Sequence, residues 1–521
     1  MLFRALHGSE SSPEGVCFAP ESPERQAAAC ALQDKAAPDD LLDLAEYSYT
    51  ALLNALRLRH LHHEPYTWIG PVLVSINPYT DWGNFSPATV RRYLGPEPCQ
   101  APHPFAVVDR ALQGDGPAAI LVTGESGAGK TEAVKAMLSF LVARQGARNC
   151  RVCDALVGST QALEAFGNAR TLQNANSSRF GKLAEVSLNA RTGEVEDAAV
   201  VPYMLEASRV THRAPGELNY HVFYALGQAL EAAAAEPAEA EAAAQWDFWG
   251  RASLWEPWRH LGEIARQAGL GRSPYVARDG EETSWAQASA SAGPFDEIAG
   301  SMKAVGLHDD EIFASMQVVL AVTLLGNVTA TMTPEPEPGG TQEETPVPEA
   351  DDALRAVSDL LAVPIEALRR FLGTRTTDKP RGGDGFQIPR SPREALTLRD
   401  SVAREVYVAL FAWLVQRVAA AATAGEAHAA PAAQGAEGSI LEAASHAASA
   451  SPVARPEQRR LAVLDIYGFE VCQTNGLEQL LINYCNERLQ ALFNMQLFAT
   501  EAATYEAEGL PRELWAGLRE A

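Results

Sequence analysis

A strand, a glycine-rich loop and a helix are predicted in direct succession between residues 118 and 141. The loop at 124–131 reads GESGAGKT and fits the pattern G-x-x-x-x-G-K-[ST]. An apolar run at 118–122 predicts a buried strand before it, and apolar residues at helical spacing follow it over 134–141. Such a loop places backbone N–H groups at the positive end of a helix. An ordinary glycine-rich turn is the alternative, but this order of elements favours a phosphate site.

The loop residues have distinct predicted roles. The Lys130 side chain can reach the outer phosphates, and the Thr131 hydroxyl can ligate Mg²⁺. Gly127 and Gly129 permit dihedrals and a close approach that a Cβ would obstruct. The predicted nucleotide-binding residues of this segment are Gly124, Glu125, Ser126, Gly127, Ala128, Gly129, Lys130, Thr131 and Glu132.

Length and charge restrict the class of protein. A chain of 521 residues exceeds the size of a single core, so several subdomains are expected. Its net charge of −24 argues against a nucleic-acid-binding surface, which needs clustered Lys and Arg. The apolar stretch VALFAWLVQRVAAAA is interrupted by Gln416 and Arg417, so no transmembrane segment is predicted. The cysteines are mostly isolated and no secretory leader is recognised, which favours a reducing, cytoplasmic compartment.

Two groups of potential metal ligands are better explained without a metal. Cys150 and Cys153 form a CxxC, but no second pair or matching histidine pair accompanies it. His60, His62 and His63 cluster in RHLHHEP, yet residues two apart do not share a helix face. We interpret the histidines as a polar helix end and the CxxC as incidental.

Changes in composition predict the domain organisation. Residues 1–38 lack periodicity and predict a disordered lead-in. Low-complexity segments are expected to be surface insertions, and helical patterns lie between them. The low-complexity segments are 231–244, 333–352 and 419–458, and the helical patterns include 312–325 and 401–418. The predicted domains are a nucleotide-binding core (39–230), a mainly helical subdomain (231–460) and a final strand and long helix (461–521).

Two further stretches carry polar residues suited to a nucleotide site. LQNANSSRFGK (172–182) offers short amide and hydroxyl side chains for phosphate oxygens, Mg²⁺ and a water. LAVLDIYGFE (461–470) is an apolar strand that ends in Asp465, where a P-loop enzyme places a carboxylate for Mg²⁺. Gly468 follows and can donate its N–H to a γ-phosphate. Each stretch alone is equally compatible with a plain strand and turn.

Taken together, GESGAGKTE, NANSSRFGK and DIYGFE resemble the P-loop, switch I and switch II of the myosin motor domain. The segments LVSINPY, LEAFGNARTLQNANSSRFGK, YMLEASRV and GLEQLLINYCNERLQALFN are similar to myosin segments in myosin order, so the resemblance covers about 39–509. Kinesins share the P-loop logic, but their switch II ends differently. The resemblance implies an α/β P-loop NTPase fold: a central mixed, mostly parallel β-sheet flanked by helices, with a largely helical upper subdomain.

The resemblance also implies residue roles and a cofactor, Mg²⁺ bound with ATP as substrate. Phosphate contacts are implied for Asn174 and Asn176, and base contacts for Asn77 and Pro78 in NPYTDWGNF. The implied Mg²⁺ ligands are Thr131, Ser178 and, through water, Asp465. The implied catalytic residues are Ser177, which positions the lytic water, Gly468, which senses the γ-phosphate, and Arg179 and Glu470, which pair to close the pocket.

The chain departs from the family pattern near the implied base site. Asp81 replaces a usual positive charge, and Phe85 stands where a tyrosine is usual. Base selectivity and affinity are therefore left open by the sequence. The first 38 residues are also too few for the small N-terminal barrel of many myosins, so we expect none.

The last part of the sequence bears on force production. Apolar residues of 477–497 form a stripe that resembles the relay helix. The family's lower actin-binding subdomain, converter, lever and one strand of the central sheet lie beyond the resemblance, so we expect an incomplete motor without light chains. Weak actin binding is expected from the modestly basic loop 374–394. Two hypotheses remain: a cytoskeleton-associated actin-based motor ATPase, or a nucleotide-binding module without force production.

Overall fold

The computed structural model describes most of the segment that carries the motifs. The described residues are 37–95, 99–114, 116–145, 150–234, 252–277, 283, 285, 294–331, 351–377, 386–423, 458–470 and 475–514. Nearly all of the predicted lead-in and most of the three low-complexity segments lie outside these ranges. The chain divides into two compact units, Met1–Ala106 and Val107–Ala521. Among the described residues, no helix combines the length and apolar character that crossing a membrane requires.

The elements alternate between strands and helices in the first half and are mainly helical in the second. The described helices are α1 (Tyr49–Leu61), α2 (Pro87–Tyr93), α3 (Pro104–Gln113), α4 (Lys130–Gln145), α5 (Cys150–Gly167), α6 (His221–Ala233), α7 (Ala252–Gln267), α8 (Phe295–Ala304), α9 (Asp309–Leu325), α10 (Asp352–Leu361), α11 (Ile365–Gly373), α12 (Pro392–Thr423) and α13 (Leu477–Ala507). The described strands are β1 (Tyr66–Ile69), β2 (Val72–Ser75), β3 (Ala118–Val122), β4 (Asn168–Ala169), β5 (Ser177–Ser178), β6 (Gly181–Asn189), β7 (Val195–Tyr203), β8 (Thr374–Thr377), β9 (Phe386–Pro389) and β10 (Gln458–Asp465).

In the first unit, α1 packs beside the β1–β2 hairpin. Ser48 caps the helix by accepting from the Ala51 N–H at 3.2 Å. Buried Arg59 donates through Nε to the Tyr66 carbonyl at 2.9 Å, which fixes the helix to the hairpin. The helix ends at Leu61, and His60 and His63 contact the Trp82 ring with centroids 4.8 and 4.7 Å apart. The interpretation of the histidine cluster as a helix end is thus confirmed.

The second unit is built on a four-stranded sheet in the order β3-β10-β6-β7. β3 and β10 are parallel, whereas β10–β6 and β6–β7 are antiparallel. The sheet is mixed, as predicted, but most of its described pairings are not parallel. One of the two antiparallel pairings has a local reason: β6 and β7 are joined by a tight turn in which Gly193 adopts φ +70°, and such hairpins are antiparallel.

The register of this sheet positions the site. Asp465 is the last residue of β10 and pairs with Val122 at the end of β3 and with Lys182 on β6. The P-loop leaves the sheet directly after Val122. Asp465 and the loop therefore emerge from the same edge of the sheet, where parallel α/β folds place ligands.

The helices of the second unit form a large apolar core. Along α6, every residue from His221 to Gly227 is buried, and in α9 most of the second half is buried. Tyr407 of α12 stacks on Tyr220 and Phe223, with centroids 5.2 Å apart in both cases, and its hydroxyl donates to the Phe166 carbonyl at 2.7 Å. α12 thereby connects the helical core to the end of α5, which precedes switch I. The predicted helices at 312–325 and 401–418 are confirmed and are longer than predicted.

Candidate functional site

The P-loop has the backbone that its glycines predict. Gly127 and Gly129 have φ values of +80° and +87°, a region that disfavours side chains with a Cβ. α4 begins at Lys130, and the Ala133 N–H donates to the Gly129 carbonyl at 3.0 Å. The Lys130 ammonium donates to the carbonyls of Gly124 and Glu125 at 3.0 and 2.8 Å. Burial lowers the pKa of Lys130, while Asp465 and Glu125 act in the opposite direction.

Three residues predicted to bind Mg²⁺ lie together at the start of α4. The Thr131 hydroxyl donates to Asp465 Oδ2 at 3.0 Å and lies 3.4 Å from the Ser178 hydroxyl oxygen. Each of the three comes from a different element: α4, β5 and β10. Mg²⁺ prefers oxygen ligands and retains water molecules, so two hydroxyls and one carboxylate fit this ion.

A network of charged residues lies next to Asp465 and includes Lys182, Glu164 and Lys135. Lys182 lies 3.8 Å from Asp465 Oδ2 and donates to Glu164 at 3.1 Å. Glu164 also pairs with Lys135 of α4 at 2.9 Å. Burial raises the pKa of Asp465, and Lys182 and Thr131 oppose that rise. For Glu164, burial acts upward but Lys182 and Lys135 outweigh it, so the pKa is lowered.

Switch I is held at the end of α5 by short strand pairing. β4 pairs with β5 so that Asn168 faces Ser178. The Ser177 hydroxyl is buried and lies 3.5 Å from the Ser126 hydroxyl of the P-loop. Asn176 Oδ1 accepts from Asn168 Nδ2 at 2.9 Å and lies 3.0 Å from His221 Nε2. Burial lowers the pKa of His221 to about 4, so its ring is neutral near pH 7.

The Asn174 side chain makes two hydrogen bonds to the backbone of Asn176 at the start of switch I. Its side-chain Nδ2 donates to the Asn176 carbonyl at 3.1 Å, and its Oδ1 accepts from the Asn176 N–H at 3.0 Å. These bonds shape the loop that carries Ser177 and Ser178.

Switch II lies directly against the P-loop. Phe469 forms an isolated parallel bridge with Glu125. A Cβ added at Gly468 would lie 2.3 Å from the Ser126 nitrogen and 3.0 Å from Lys130 Nζ. Only glycine fits at this position; the predicted contact of the Gly468 N–H with a γ-phosphate stays a prediction.

Arg179 and Glu470 join the two switches. The Arg179 guanidinium donates through Nη1 to Glu470 Oε1, and Arg179 is 1% exposed. Burial acts to lower the pKa of Arg179, but Glu206 and Glu470 outweigh it and raise the pKa above its usual value. A buried, charge-assisted contact of this kind is stronger than a surface pair.

For the remaining predicted site residues, the structure shows local contacts within their own segments. Asn77 and Pro78 belong to the first unit, where the Tyr79 N–H donates to Asn77 Oδ1 at 3.0 Å. Glu132 is on the exposed side of α4 and accepts from Lys135 at 3.1 Å. Their contacts with a nucleotide stay predictions. Among the described residues, no group of His, Cys, Asp and Glu side chains is arranged to hold a metal, and the Cys150 and Cys153 side chains lie outside that description.

Several polar residues that support the site were not predicted from the sequence, two of them buried. Glu206 contacts Arg179, Lys182 lies beside Asp465, and Asn483 of α13 bonds to the backbone of Glu470. Each lies outside the three motifs or at their edge. For Glu206 and Lys182, the sequence signal of a supporting role was a charged residue within an otherwise apolar segment.

A cavity of about 420 Å³ lies elsewhere in the second unit, between α6 and α7. Its described lining includes Leu230, Arg266 and Trp285 and none of the P-loop or switch residues. It is therefore separate from the candidate nucleotide site.

Comparison with known proteins identifies relatives. The family described as "Myosin head (motor domain)" matches residues 38–431 and 448–515. Human unconventional myosin-Ig is 32% identical over 493 residues, which is 92% of this chain and 43% of that protein. Human unconventional myosin-XV is 31% identical over 90% of this chain and 12% of its own length. The myosin ID heavy chain of Dictyostelium discoideum is 30% identical over 91% of this chain and 38% of its own length. The chain thus spans less than half the length of each of these relatives.

Proposed function

The chain belongs to the myosin motor-domain family, and we propose that it binds and hydrolyses Mg·ATP as the nucleotide site of an actin-based motor. One observation carries the proposal: Thr131, Ser178 and Asp465 of the three motifs meet within hydrogen-bonding range. Those residues are far apart in sequence, and a purely structural P-loop has no need to bring two hydroxyls and a buried carboxylate together.

In this proposal the chain binds the phosphates first. The P-loop amides and Lys130 hold the β- and γ-phosphates. To do so, the Lys130 ammonium replaces its hydrogen bonds to the loop carbonyls with contacts to phosphate oxygens. Thr131, Ser178 and, through water, Asp465 hold Mg²⁺, which neutralises phosphate charge. Lys182 compensates the Asp465 charge in the interior.

Hydrolysis then depends on positioning and electrostatics. Ser177 orients the attacking water, and the Gly468 N–H contacts the γ-phosphate. The pairing of Arg179 with Glu470 holds switch II closed over the reacting group and excludes bulk water. Glu470 is fixed in turn by Asn483 at the start of α13, so closure is transmitted to the long helix.

The wider function follows from the family as a proposal. We propose the actin filament as partner and the cytoplasmic cytoskeleton as location. Loop 374–394 is the proposed contact, and its base forms the antiparallel β8–β9 hairpin. Residues 378–385 of that loop lie outside the described ranges.

Binding of a fluorescent ATP analogue with and without Mg²⁺ tests the proposal. Lys130→Ala is expected to weaken binding by 100-fold or more, on the order of the loss of a buried charged contact to phosphate. Lys303→Ala is the matched control, because Lys303 lies on α8 and pairs with Asp309 instead. Unchanged affinity in Lys130→Ala would overturn the assignment. Binding without measurable single-turnover hydrolysis would favour a nucleotide-binding module.

A further inference from the structure

Arg179 has two carboxylate partners on different edges of its guanidinium. Nη1 donates to Glu470 of switch II, whereas Nε donates to Glu206 Oε2 at 2.5 Å. Glu206 lies outside the P-loop and both switches, just after β7, and is 8% exposed. The guanidinium thus bridges one residue of switch II and one residue outside both switches.

The Arg179 backbone is fixed from both sides. The Arg179 N–H donates to the Gly167 carbonyl at the end of α5 at 2.8 Å. The Glu206 N–H donates to the Arg179 carbonyl at 3.0 Å. Glu206 therefore contacts Arg179 through both its backbone and its side chain.

Glu206 has partners outside switch II, in addition to a nearby contact in which the Tyr467 hydroxyl of switch II donates to the Met204 carbonyl. Its Oε2 accepts from Arg209 Nε at 2.7 Å, and Arg209 also pairs with Glu217 at 2.9 Å. The Tyr220 hydroxyl donates to the Glu206 carbonyl at 2.6 Å. Arg209, Glu217 and Tyr220 all lie outside the P-loop and both switches in sequence.

A reversible switch needs such a second partner. When one partner of a buried ion pair departs, the remaining charge is uncompensated and strongly unfavourable. If Glu470 were the only carboxylate on Arg179, each opening of switch II would leave this charge unpaired. With Glu206 on Nε, the guanidinium keeps a charge partner and its orientation while Glu470 leaves.

We propose that Glu206 is a positioning residue that anchors Arg179 permanently, so that Glu470 alone makes and breaks the contact between the switches. The inference rests on the proposed ATPase function. It assigns different roles to two carboxylates that contact the same arginine: Glu206 fixes the guanidinium, and Glu470 reports closure.

The first test separates nucleotide binding from hydrolysis in the full chain. Glu206→Gln retains a hydrogen-bond acceptor but removes the charge. We expect single-turnover hydrolysis of Mg·ATP to fall by about 10-fold or more, with affinity for the fluorescent ATP analogue within about 3-fold. Glu206→Asp, which restores the charge, should recover part of the rate. The matched control is Glu217→Gln, because Glu217 pairs with Arg209 but not with Arg179; it should hydrolyse at the wild-type rate.

The second test asks whether the effect of Glu206→Gln on hydrolysis changes sign when the charges of Arg179 and Glu470 are exchanged. In the double reversal Arg179→Glu with Glu470→Arg, Glu206 lies beside a new carboxylate at position 179 and repels it. Adding Glu206→Gln removes this repulsion and should therefore raise hydrolysis. A purely structural contribution of Glu206 would lower activity in both backgrounds. The inference is overturned if Glu206→Gln hydrolyses normally, if it loses binding and thermal stability together, or if it lowers the rate of the double reversal. A wild-type chain that neither binds nor hydrolyses ATP would overturn the proposed function, and this inference with it, before any variant is compared.

Discussion

At the scale of single residues, close packing explains why certain positions tolerate no side chain. Gly468 is the clearest case, because the Ser126 nitrogen lies where its Cβ would project. Gly167 is similar, since a Cβ there would lie 2.3 Å from the Phe180 ring. Both glycines lie where one functional segment passes directly over another.

Gly468→Ala is expected to displace switch II from the P-loop. Because the closest contacts are with backbone rather than with a flexible side chain, the loop cannot yield without moving the amides that we propose to bind phosphate. We expect single-turnover hydrolysis to fall by about 100-fold, comparable to losing one donor to a reacting oxygen. Gly300→Ala on α8 is the control, because no atom lies within 4 Å of its added Cβ. Wild-type hydrolysis in Gly468→Ala would show that switch II does not close against this loop.

His103 gives the first unit a pH-dependent stability. Its Nδ1 accepts from the Phe105 N–H at 3.1 Å and its Nε2 donates to the Asn84 carbonyl at 3.1 Å, so the buried ring is neutral. Burial lowers its pKa from 6.5 to about 4. The unfolded chain therefore takes up the proton first, and the stabilisation present above pH 6.5 is lost as the pH falls toward 4.

Because of His103, the free energy of unfolding is expected to fall by up to about 3 kcal/mol as the pH decreases from 6.5 to 4. Urea unfolding midpoints at pH 7, 6 and 5 measure it, and His103→Gln should flatten the decline because glutamine does not titrate. Equal pH dependence in wild type and His103→Gln would contradict the assignment.

At the scale of secondary-structure elements, Asn483 connects α13 to switch II. Asn483 Oδ1 accepts from the Glu470 N–H at 2.8 Å, and Asn483 Nδ2 donates to the Glu470 carbonyl at 2.8 Å. This pair of bonds fixes the Glu470 backbone to the first turns of the helix. Much of the apolar stripe of the helix is exposed, with Leu477 at 66% and Leu480 at 62%.

Asn483→Ala is expected to slow hydrolysis by about 10-fold while ATP analogue binding persists, because two hydrogen bonds to the Glu470 backbone are lost. Gln490→Ala on the same helix is the control, since the Gln490 amide donates to Asn494 of α13 itself at 2.9 Å. If both variants hydrolyse at the same rate, α13 and switch II are not coupled through Asn483.

The elements that carry the motifs were predictable from sequence because their signals are local. β3 spans the predicted residues 118–122, and β10 ends at the predicted Asp465. Local spacing, however, contains no information on which strands pair, so the predominance of antiparallel pairs was not foreseen. The second carboxylate partner of Arg179 and the cation beside Asp465 were missed for the same reason: Glu206 and Lys182 acquire their roles only when the folded chain brings β6 and the end of β7 to the switches.

At the scale of the whole molecule, charge opposes the proposed filament contact. The chain carries a net charge of −24, and the proposed loop 374–394 is only modestly basic. Arg375 and Arg393 are exposed there, whereas Arg390 donates to the Thr374 carbonyl at 3.0 Å and secures the hairpin base. Glu394 is held by hydrogen bonds from Ser391, which lower its pKa and keep it charged. Such a loop attracts an acidic surface only at short range.

We therefore expect binding of the chain to actin filaments to depend strongly on salt. Exposed charges more than about 10 Å apart are largely screened at 0.1 M salt, so co-sedimentation should be measurable at low ionic strength and weak at physiological salt. Arg375→Glu with Arg393→Glu should abolish the low-salt binding, because the loop then repels an acidic filament. Reversing the exposed Arg191 and Arg355 changes the net charge equally and should reduce binding far less, since steering depends on local rather than total charge. Tight, salt-resistant co-sedimentation that survives the first double variant would place the filament contact on another surface.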